Sequence, residues 1–138
     1  MKRILTILIF LSMVQCSIGQ ITDDPVITKS IYFGGGSYYV DRNQTEELIE
    51  LIESLERPEL YEVYVHGHTD DIGSLEYNQW LSDMRTDQVI QKIINNGFDP
   101  GVIFQKDFGE LSPVYDNSTW EGKLKNRRVD IIFKKLEQ

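Results

Sequence analysis

The sequence predicts a two-layer sandwich of the α/β (α+β) class, in which helices cover one face of a four-stranded sheet. Four short segments alternate apolar and polar residues, as half-buried strands do. Two longer segments repeat apolar residues with helical spacing. The six segments follow in the order β-α-β-α-β-β, and a one-faced sheet buries its apolar side by packing against amphipathic helices. The pattern does not determine the order of the strands within the sheet.

The first strand and the first helix have clear local signals. Alternating residues predict a strand over Ile27–Phe33, and Gly34-Gly35-Gly36 ends it. Asp41 is predicted to cap the first helix, with Gln44 three residues later at the position of a capping-box partner. Pro58 ends the region of this helix.

The second half of the chain contains four further elements and one long connection. Asn96-Gly97 is a typical helix stop and sets the end of the second helix. The predicted bounds are Tyr61–His66 for the second strand, about Glu76–Asn95 for the second helix, Val102–Gly109 for the third strand, Ser112–Leu124 for the connection and Arg128–Lys134 for the last strand.

The N-terminus has the features of a secretory signal peptide. Two basic residues precede the apolar stretch Ile4–Val14, and Ser17-Ile18-Gly19 provides small residues for cleavage. Export to the periplasm or cell envelope is therefore expected. The predicted organisation is a signal peptide over residues 1–19, a linker over 20–26 and one domain over 27–138.

Lipidation of the only cysteine, Cys16, is the alternative for the N-terminus. A lipoprotein site prefers a Leu-like residue three positions before the cysteine and a small residue directly before it. Those positions hold Met13 and Gln15, and Gln15 fits badly. Attachment to the outer membrane is expected only if Cys16 is lipidated.

The net charge of the chain is −8, and removal of Lys2 and Arg3 with the signal peptide would make it −10. Nucleic acids require a basic surface because their phosphates are negatively charged, so they are excluded as partners. The same charge argues against electrostatic attachment to anionic lipid.

Candidate functional residues concentrate between Val65 and Arg85. Asp70 lies on a polar loop at the end of the second strand, where a side chain can project into a crevice. The loop leads into the second helix. There the helical spacing places Asn78, Ser82 and Arg85 on one stripe.

This stretch resembles the OmpA-like peptidoglycan-binding family, which includes the C-terminal domains of Pal and MotB. The resemblance covers roughly Ile27 to Phe133 and implies a mixed four-stranded sheet with a ligand site at one end. The matching residues are Gly67-His68-Thr69-Asp70, Gly73, Tyr77-Asn78, Leu81-Ser82, Arg85, Gly109-Glu110, Pro113, Asn117 and Asn126-Arg127-Arg128-Val129.

The resemblance implies non-catalytic binding of peptidoglycan through the diaminopimelate of its stem peptide. Most Gram-negative bacteria have diaminopimelate in this peptide. The distal centre of diaminopimelate carries an ammonium and a carboxylate. In the family, the main ligand contacts fall on Asp70, which supplies an anion, and Arg85, which supplies a planar fork for a carboxylate. Asn78 and Arg127 match further contacts, and Thr69 is expected to shape the loop. Both Asp70 and Arg85 are expected at the surface.

Two alternatives stay open at this point. Asp70 and Arg85 could simply pair with each other across the junction of loop and helix. Family members also place an Asp or Asn after the first strand, whereas this chain has Phe33 followed by Gly34–Gly36. Backbone groups could replace those side chains. Otherwise the chain is an OmpA-like protein-interaction module with weak or lost peptidoglycan binding and an envelope protein as its partner.

Enzymatic function is not supported by the sequence, and no cofactor is expected. His66-Gly67-His68-Thr69-Asp70 fits the start of a zinc-hydrolase motif, but the chain has only two histidines, and Asp71 stands where that motif needs another. No metal is therefore expected. Trp80 and Trp120 could stack on sugar rings, but we interpret them as packing residues.

Overall fold

The computed structural model describes residues 26–136. The predicted signal peptide and the linker up to Pro25 lie outside the described residues. Each predicted strand and the second helix is present, with its ends within two residues of the prediction. The elements are β1 (Val26–Tyr32), α1 (Arg42–Ser54), β2 (Tyr61–Gly67), α2 (Leu75–Asn95), β3 (Ile103–Asp107), α3 (Trp120–Asn126) and β4 (Arg128–Lys135).

The short helix α3 is the one addition to the predicted order, and it lies largely within the stretch predicted as a long connection. Thr119 caps it by accepting a hydrogen bond from the backbone N–H of Gly122. Seven residues are two turns, too few for an apolar period to stand out in the sequence. No helix within residues 26–136 is both long enough and apolar enough to cross a membrane.

The sheet has the strand order β1-β4-β2-β3. The last strand, β4, runs antiparallel to both of its neighbours, whereas β2 and β3 are parallel to each other and are joined through α2. Ile31 of β1 lies opposite Val129 of β4, and Val65 of β2 lies opposite Ile131. The sheet is therefore mixed, as the family resemblance implies.

The core lies on one face of this sheet, where α1 and α2 cover it. Each fully buried aliphatic or Phe side chain contributes about 1.5–3 kcal/mol to folding. This arrangement confirms the predicted two-layer sandwich. The core includes Ile31 from β1, Leu48 and Ile52 from α1, Val63 and Val65 from β2, Val89 and Ile93 from α2, and Val129, Ile131 and Phe133 from β4.

Gln44 connects the start of α1 to the end of β1. Asp41 caps the helix as predicted, because its Oδ1 accepts from the backbone N–H of Gln44 at 3.0 Å. The Gln44 side chain bonds the backbone of Tyr32 twice, accepting from its N–H at 2.7 Å and donating to its carbonyl at 2.8 Å. These bonds fix both ends of the glycine-rich segment between β1 and α1.

Gly67 brings the end of β2 into close contact with α2. A Cβ at this position would lie 2.8 Å from the carbonyl oxygen of Ser82 and 2.8 Å from Cγ2 of Thr86. Any side chain would therefore push the helix off the strand. The loop that follows Gly67, with Asp70 in it, is held beside the first turns of α2.

Candidate ligand-binding site

A cavity of about 230 Å³ lies at the end of the sheet where β1 and β2 end and β4 begins. Two loops, the start of α2 and one arginine just before β4 form its walls. The cavity is thus built from segments that are far apart in the sequence. Its lining residues are Gly35, Gly36, Asp70, Ile72, Gly73, Tyr77, Leu81 and Arg127.

Asp70 and Arg127 form a buried ion pair at the wall of this cavity. Nε of Arg127 donates to Oδ2 of Asp70 at 2.6 Å, and the two residues are only 6% and 5% exposed, respectively. Oδ1 of Asp70 also accepts from the backbone N–H of Ile72 at 3.2 Å. Within residues 26–136, the Nη groups of Arg127 have no hydrogen-bond acceptor. They therefore remain available to a ligand in the cavity.

Arg85 lies behind this wall and is 1% exposed. It donates to three backbone carbonyls: Nε to Ser37 at 2.9 Å, Nη1 to His68 at 3.0 Å and Nη2 to Gly34 at 3.0 Å. Its guanidinium also lies over the ring of Phe33, 5.0 Å from the centroid. Arg85 thus ties the loop after β1 to the loop after β2.

The burial of Asp70 and Arg85 corrects the expectation that both lie at the surface, and their contacts remove an alternative. Arg85 is among the most buried side chains described, and Asp70 is only 5% exposed. Asp70 pairs with Arg127, and no ion pair joins Asp70 to Arg85 among the described residues. Burial lowers the pKa of Arg85 to about 10, opposed by the nearby charge of Asp70, so Arg85 remains charged at neutral pH.

Asn78 and Thr69 are also buried and each has an unpaired acceptor. Nδ2 of Asn78 donates to the carboxylate of Glu110. Asn78 Oδ1 and Thr69 Oγ1 have no hydrogen-bond partner in the described part of the chain. Oδ1 of Asn78 lies 3.4 Å from where a Cβ on the cavity-lining Gly73 would stand. A buried acceptor beside the cavity suits a ligand that donates hydrogen bonds.

Glu110 also belongs to this site, because it accepts the hydrogen bond from Asn78. The sequence did not predict this role, since acidic residues in loops are mostly solvated. Its position next to Gly109 in the matched family pattern was the available signal. Its hydrogen bond with Asn78 spans 32 positions, a separation that local patterns do not reveal.

The glycine segment after β1 takes part through its backbone. Gly34 supplies a carbonyl to Arg85, and a Cβ on Gly35 would lie 3.3 Å from Nη1 of Arg127. Gly36 has a φ of +68° and faces the hydroxyl of Tyr77, which would be 3.2 Å from an added Cβ. Larger residues here would be strained or would press on the cavity walls. The backbone of this segment thus forms part of the cavity wall and supplies a carbonyl to Arg85.

The two histidines lie on the other side of the sheet end and both contact Phe108. The ring of His68 stacks on Phe108 with centroids 5.0 Å apart, and the ring of His66 meets it edge-on at 5.5 Å. No group of three or more His, Cys, Asp or Glu side chains within residues 26–136 is arranged to hold a metal ion.

His68 should make folding stability depend on pH. Burial, with help from the charge of Arg128, lowers its pKa from 6.5 to about 4, and Asp130 only partly opposes this. As the pH falls below 6.5, His68 takes up a proton in the unfolded chain but stays neutral in the folded domain. The stability that neutral His68 contributes is therefore lost as the pH falls from 6.5 towards 4. After allowance for solvent screening, we expect His68 to lower the free energy of unfolding by roughly 2 kcal/mol over this pH range.

Urea denaturation at a series of pH values between 7 and 4 tests this expectation. His68→Asn should flatten the decrease in the free energy of unfolding. His66→Asn, on the same sheet face but half-buried, should change the slope less. An unchanged slope in His68→Asn would show that other groups cause the pH dependence.

The structure is an α+β domain with a cavity at one end of its mixed sheet and an ion pair in the wall of that cavity. The chain belongs to the OmpA family, whose family model matches residues 32–127. The resemblance inferred from the sequence is thereby confirmed.

Several curated relatives show where the similarity lies. The outer-membrane lipoprotein YfiB of Pseudomonas aeruginosa is 30% identical over 106 residues, which is 77% of this chain and 63% of that protein. The outer membrane porin F of Pseudomonas fluorescens is 47% identical over 68 residues, covering 49% of this chain and 21% of the porin. The chain thus matches only part of these longer proteins. The relatives are cell-envelope proteins, and this chain is one too, as the sequence predicts.

Solved structures share the fold. The peptidoglycan-associated lipoprotein from Burkholderia pseudomallei superposes with a TM-score of 0.71 at 24% identity, covering 77% of this chain and 90% of that one. The periplasmic domain of MotB from Helicobacter pylori superposes with a TM-score of 0.64 at 21% identity, covering 84% of this chain and 79% of the MotB chain.

Proposed function

We propose that this chain binds peptidoglycan, without catalysis, through the diaminopimelate zwitterion of the stem peptide. The observation that carries the proposal is the buried Asp70–Arg127 pair, which presents a carboxylate and a guanidinium to one cavity. The family supports it. One relative, 29% identical over 118 residues, is the peptidoglycan-binding protein ArfA of Mycobacterium bovis. Another, 28% identical over 104 residues, is the peptidoglycan-associated lipoprotein of Buchnera aphidicola.

The charges of the site match those of the ligand. The distal ammonium of diaminopimelate has three N–H donors, and Asp70 is an acceptor that lines the cavity. Oδ1 of Asn78 is a buried acceptor directly behind the lining residue Gly73. The distal carboxylate would accept two parallel hydrogen bonds from the Nη groups of Arg127. We therefore assign Asp70 and Arg127 to direct contact with the ligand, and Asn78 to the polar wall behind Gly73.

Arg85 and Thr69 have supporting roles in this proposal. Arg85 does not line the cavity, but it holds the carbonyls of both loops that do. Its positive charge also lies close enough to Asp70 and Arg127 for their charges to affect its pKa. Thr69 immediately precedes Asp70, and its backbone N–H donates to the carbonyl of Gly109 at 2.9 Å, which fixes the loop.

The test is retention on purified sacculi in competition with defined peptides. A free stem tripeptide that ends in diaminopimelate should displace the protein. The same tripeptide with its distal carboxylate amidated should compete at least about tenfold less well, because it loses charge-assisted hydrogen bonds that contribute roughly 1.5–3 kcal/mol each.

A tripeptide with lysine in place of diaminopimelate is the matched control. It keeps the distal ammonium and lacks only the carboxylate, so it should compete as poorly as the amidated peptide. Equal competition by all three peptides would contradict the zwitterion mechanism. If the protein is not retained on sacculi at all, the alternative of a protein-interaction module is favoured.

A further inference from the structure

Three aromatic side chains form an exposed cluster beside the cavity. The rings of Tyr38 and Trp80 meet edge-on with centroids 6.0 Å apart, and those of Tyr77 and Trp80 are tilted at 5.7 Å. All three residues are substantially exposed, Trp80 by 46%. Trp80 packs against these two tyrosines at the surface and lies outside the hydrophobic core. Contiguous exposed apolar patches often mark binding surfaces.

This aromatic cluster is continuous with the proposed ligand site. Tyr77 belongs to both, because it also lines the cavity. Trp80 follows Tyr77 by three positions on α2 and so lies on the same face of the helix. Tyr38 directly follows Ser37, whose carbonyl is bound by Arg85. The same structural elements thus hold the cluster and the cavity.

The chemistry of the ligand limits what can cover this cluster. In peptidoglycan, diaminopimelate is the third residue of a stem that is joined to a sugar of the glycan strand. Counted from the distal centre of diaminopimelate, through its side chain and the preceding stem residues, the extended stem spans about 20 Å, so a stem bound in the cavity keeps its sugars within that distance. Sugar rings are uncharged over their C–H faces and pack well against aromatic rings. The cluster itself consists of aromatic side chains without formal charge.

We propose that Tyr38, Tyr77 and Trp80 bind a sugar ring of the glycan strand while the cavity holds the stem peptide. This inference rests on the proposed function and extends it to a second part of the same polymer. The protein would then recognise the junction of glycan and peptide, and bind it more tightly than the peptide alone.

Trp120, on the other side of the cavity, is not assigned to this subsite. The guanidinium of Arg127 lies over its ring, 4.8 Å from the centroid. One ring face is therefore covered by a residue of the peptide site. Replacing Trp120 would disturb Arg127 and could not separate sugar binding from peptide binding.

The test compares two soluble ligands by titration calorimetry on protein produced from the full chain. The ligands are the stem tripeptide and the same tripeptide joined to its disaccharide. The disaccharide should improve the affinity of the wild-type protein roughly twofold to tenfold, the range expected for aromatic packing. Trp80→Ala should remove this gain and leave tripeptide affinity unchanged. Trp80→Phe should retain part of the gain.

Phe104→Ala is the matched control. Phe104 is 44% exposed, nearly as much as Trp80, and also packs against an aromatic neighbour, Tyr64, with centroids 5.1 Å apart. It lies on β3, outside the cavity and the cluster. This variant should bind both ligands as the wild type does.

The outcomes separate the two proposals. If the wild type binds both ligands equally, the sugar subsite is refuted and the peptide site stands. If Trp80→Ala weakens both ligands equally, Trp80 supports the peptide site and the sugar subsite is again refuted. If neither ligand binds the wild type, the proposed function fails and this inference fails with it.

Discussion

Arg85→Ala is expected to destabilise the domain by about 3–5 kcal/mol and to abolish retention on sacculi. The substitution leaves the carbonyls of Gly34, Ser37 and His68 without their donor. It also leaves a cavity in place of one of the largest fully buried side chains. Each buried acceptor without a partner costs about 1–3 kcal/mol. A typical domain is stable by only about 5–15 kcal/mol, so the loss is a large fraction of the total.

Urea denaturation followed by circular dichroism measures the effect of Arg85→Ala on stability. Arg42→Ala is the control, because Arg42 lies on α1 with its side chain 85% exposed and pairs with Glu46 one turn away. That exposed pair should contribute less than about 1 kcal/mol. Arg85→Lys should be intermediate, since an ammonium keeps the charge but cannot span three carbonyls as the planar guanidinium does. Equal denaturation midpoints for Arg85→Ala and wild type would contradict the role given to Arg85.

Asp70→Asn is expected to weaken retention on sacculi by about tenfold or more with little change in fold. The substitution keeps the size of the side chain and an oxygen that can accept from the backbone N–H of Ile72. It removes the negative charge that pairs with Arg127 and that would face the ligand ammonium. A charge-assisted hydrogen bond contributes roughly 1.5–3 kcal/mol, which corresponds to at least tenfold in affinity.

Asp71→Asn, the change at the neighbouring residue, is the control for Asp70→Asn. The side chain of Asp71 is 46% exposed, pairs with Lys123 at the surface and does not line the cavity. The Asp71→Asn variant should therefore bind sacculi as the wild type does. If the two variants are retained equally well, Asp70 is only a structural partner of Arg127, and the peptide is bound elsewhere.

The sequence by itself determined most of the elements and supplied several candidate residues for the site, although Glu110 was not among them. Period-two and helical patterns identified four strands and two long helices, because each signal lies within a few neighbouring positions. Asp41 as the cap of α1 is a local effect of the same kind. The short helix α3 was missed, since two turns carry too little pattern. Family motifs supplied Asp70, Asn78, Arg85 and Arg127 as candidates, although not their individual roles.

Only the tertiary structure decided how those residues are arranged. Asp70 and Arg127 are 57 positions apart and become neighbours because β4, last in the chain, lies in the sheet between β1 and β2. Arg85 is placed by spacing on a helix, but the loop after β1, 48 to 51 positions earlier, covers it and converts it from a surface group into an anchor. The cluster around Trp80 likewise forms because the segment after β1 places Tyr38 against α2. Such contacts depend on chain closure over long distances, and local sequence patterns carry no information about it.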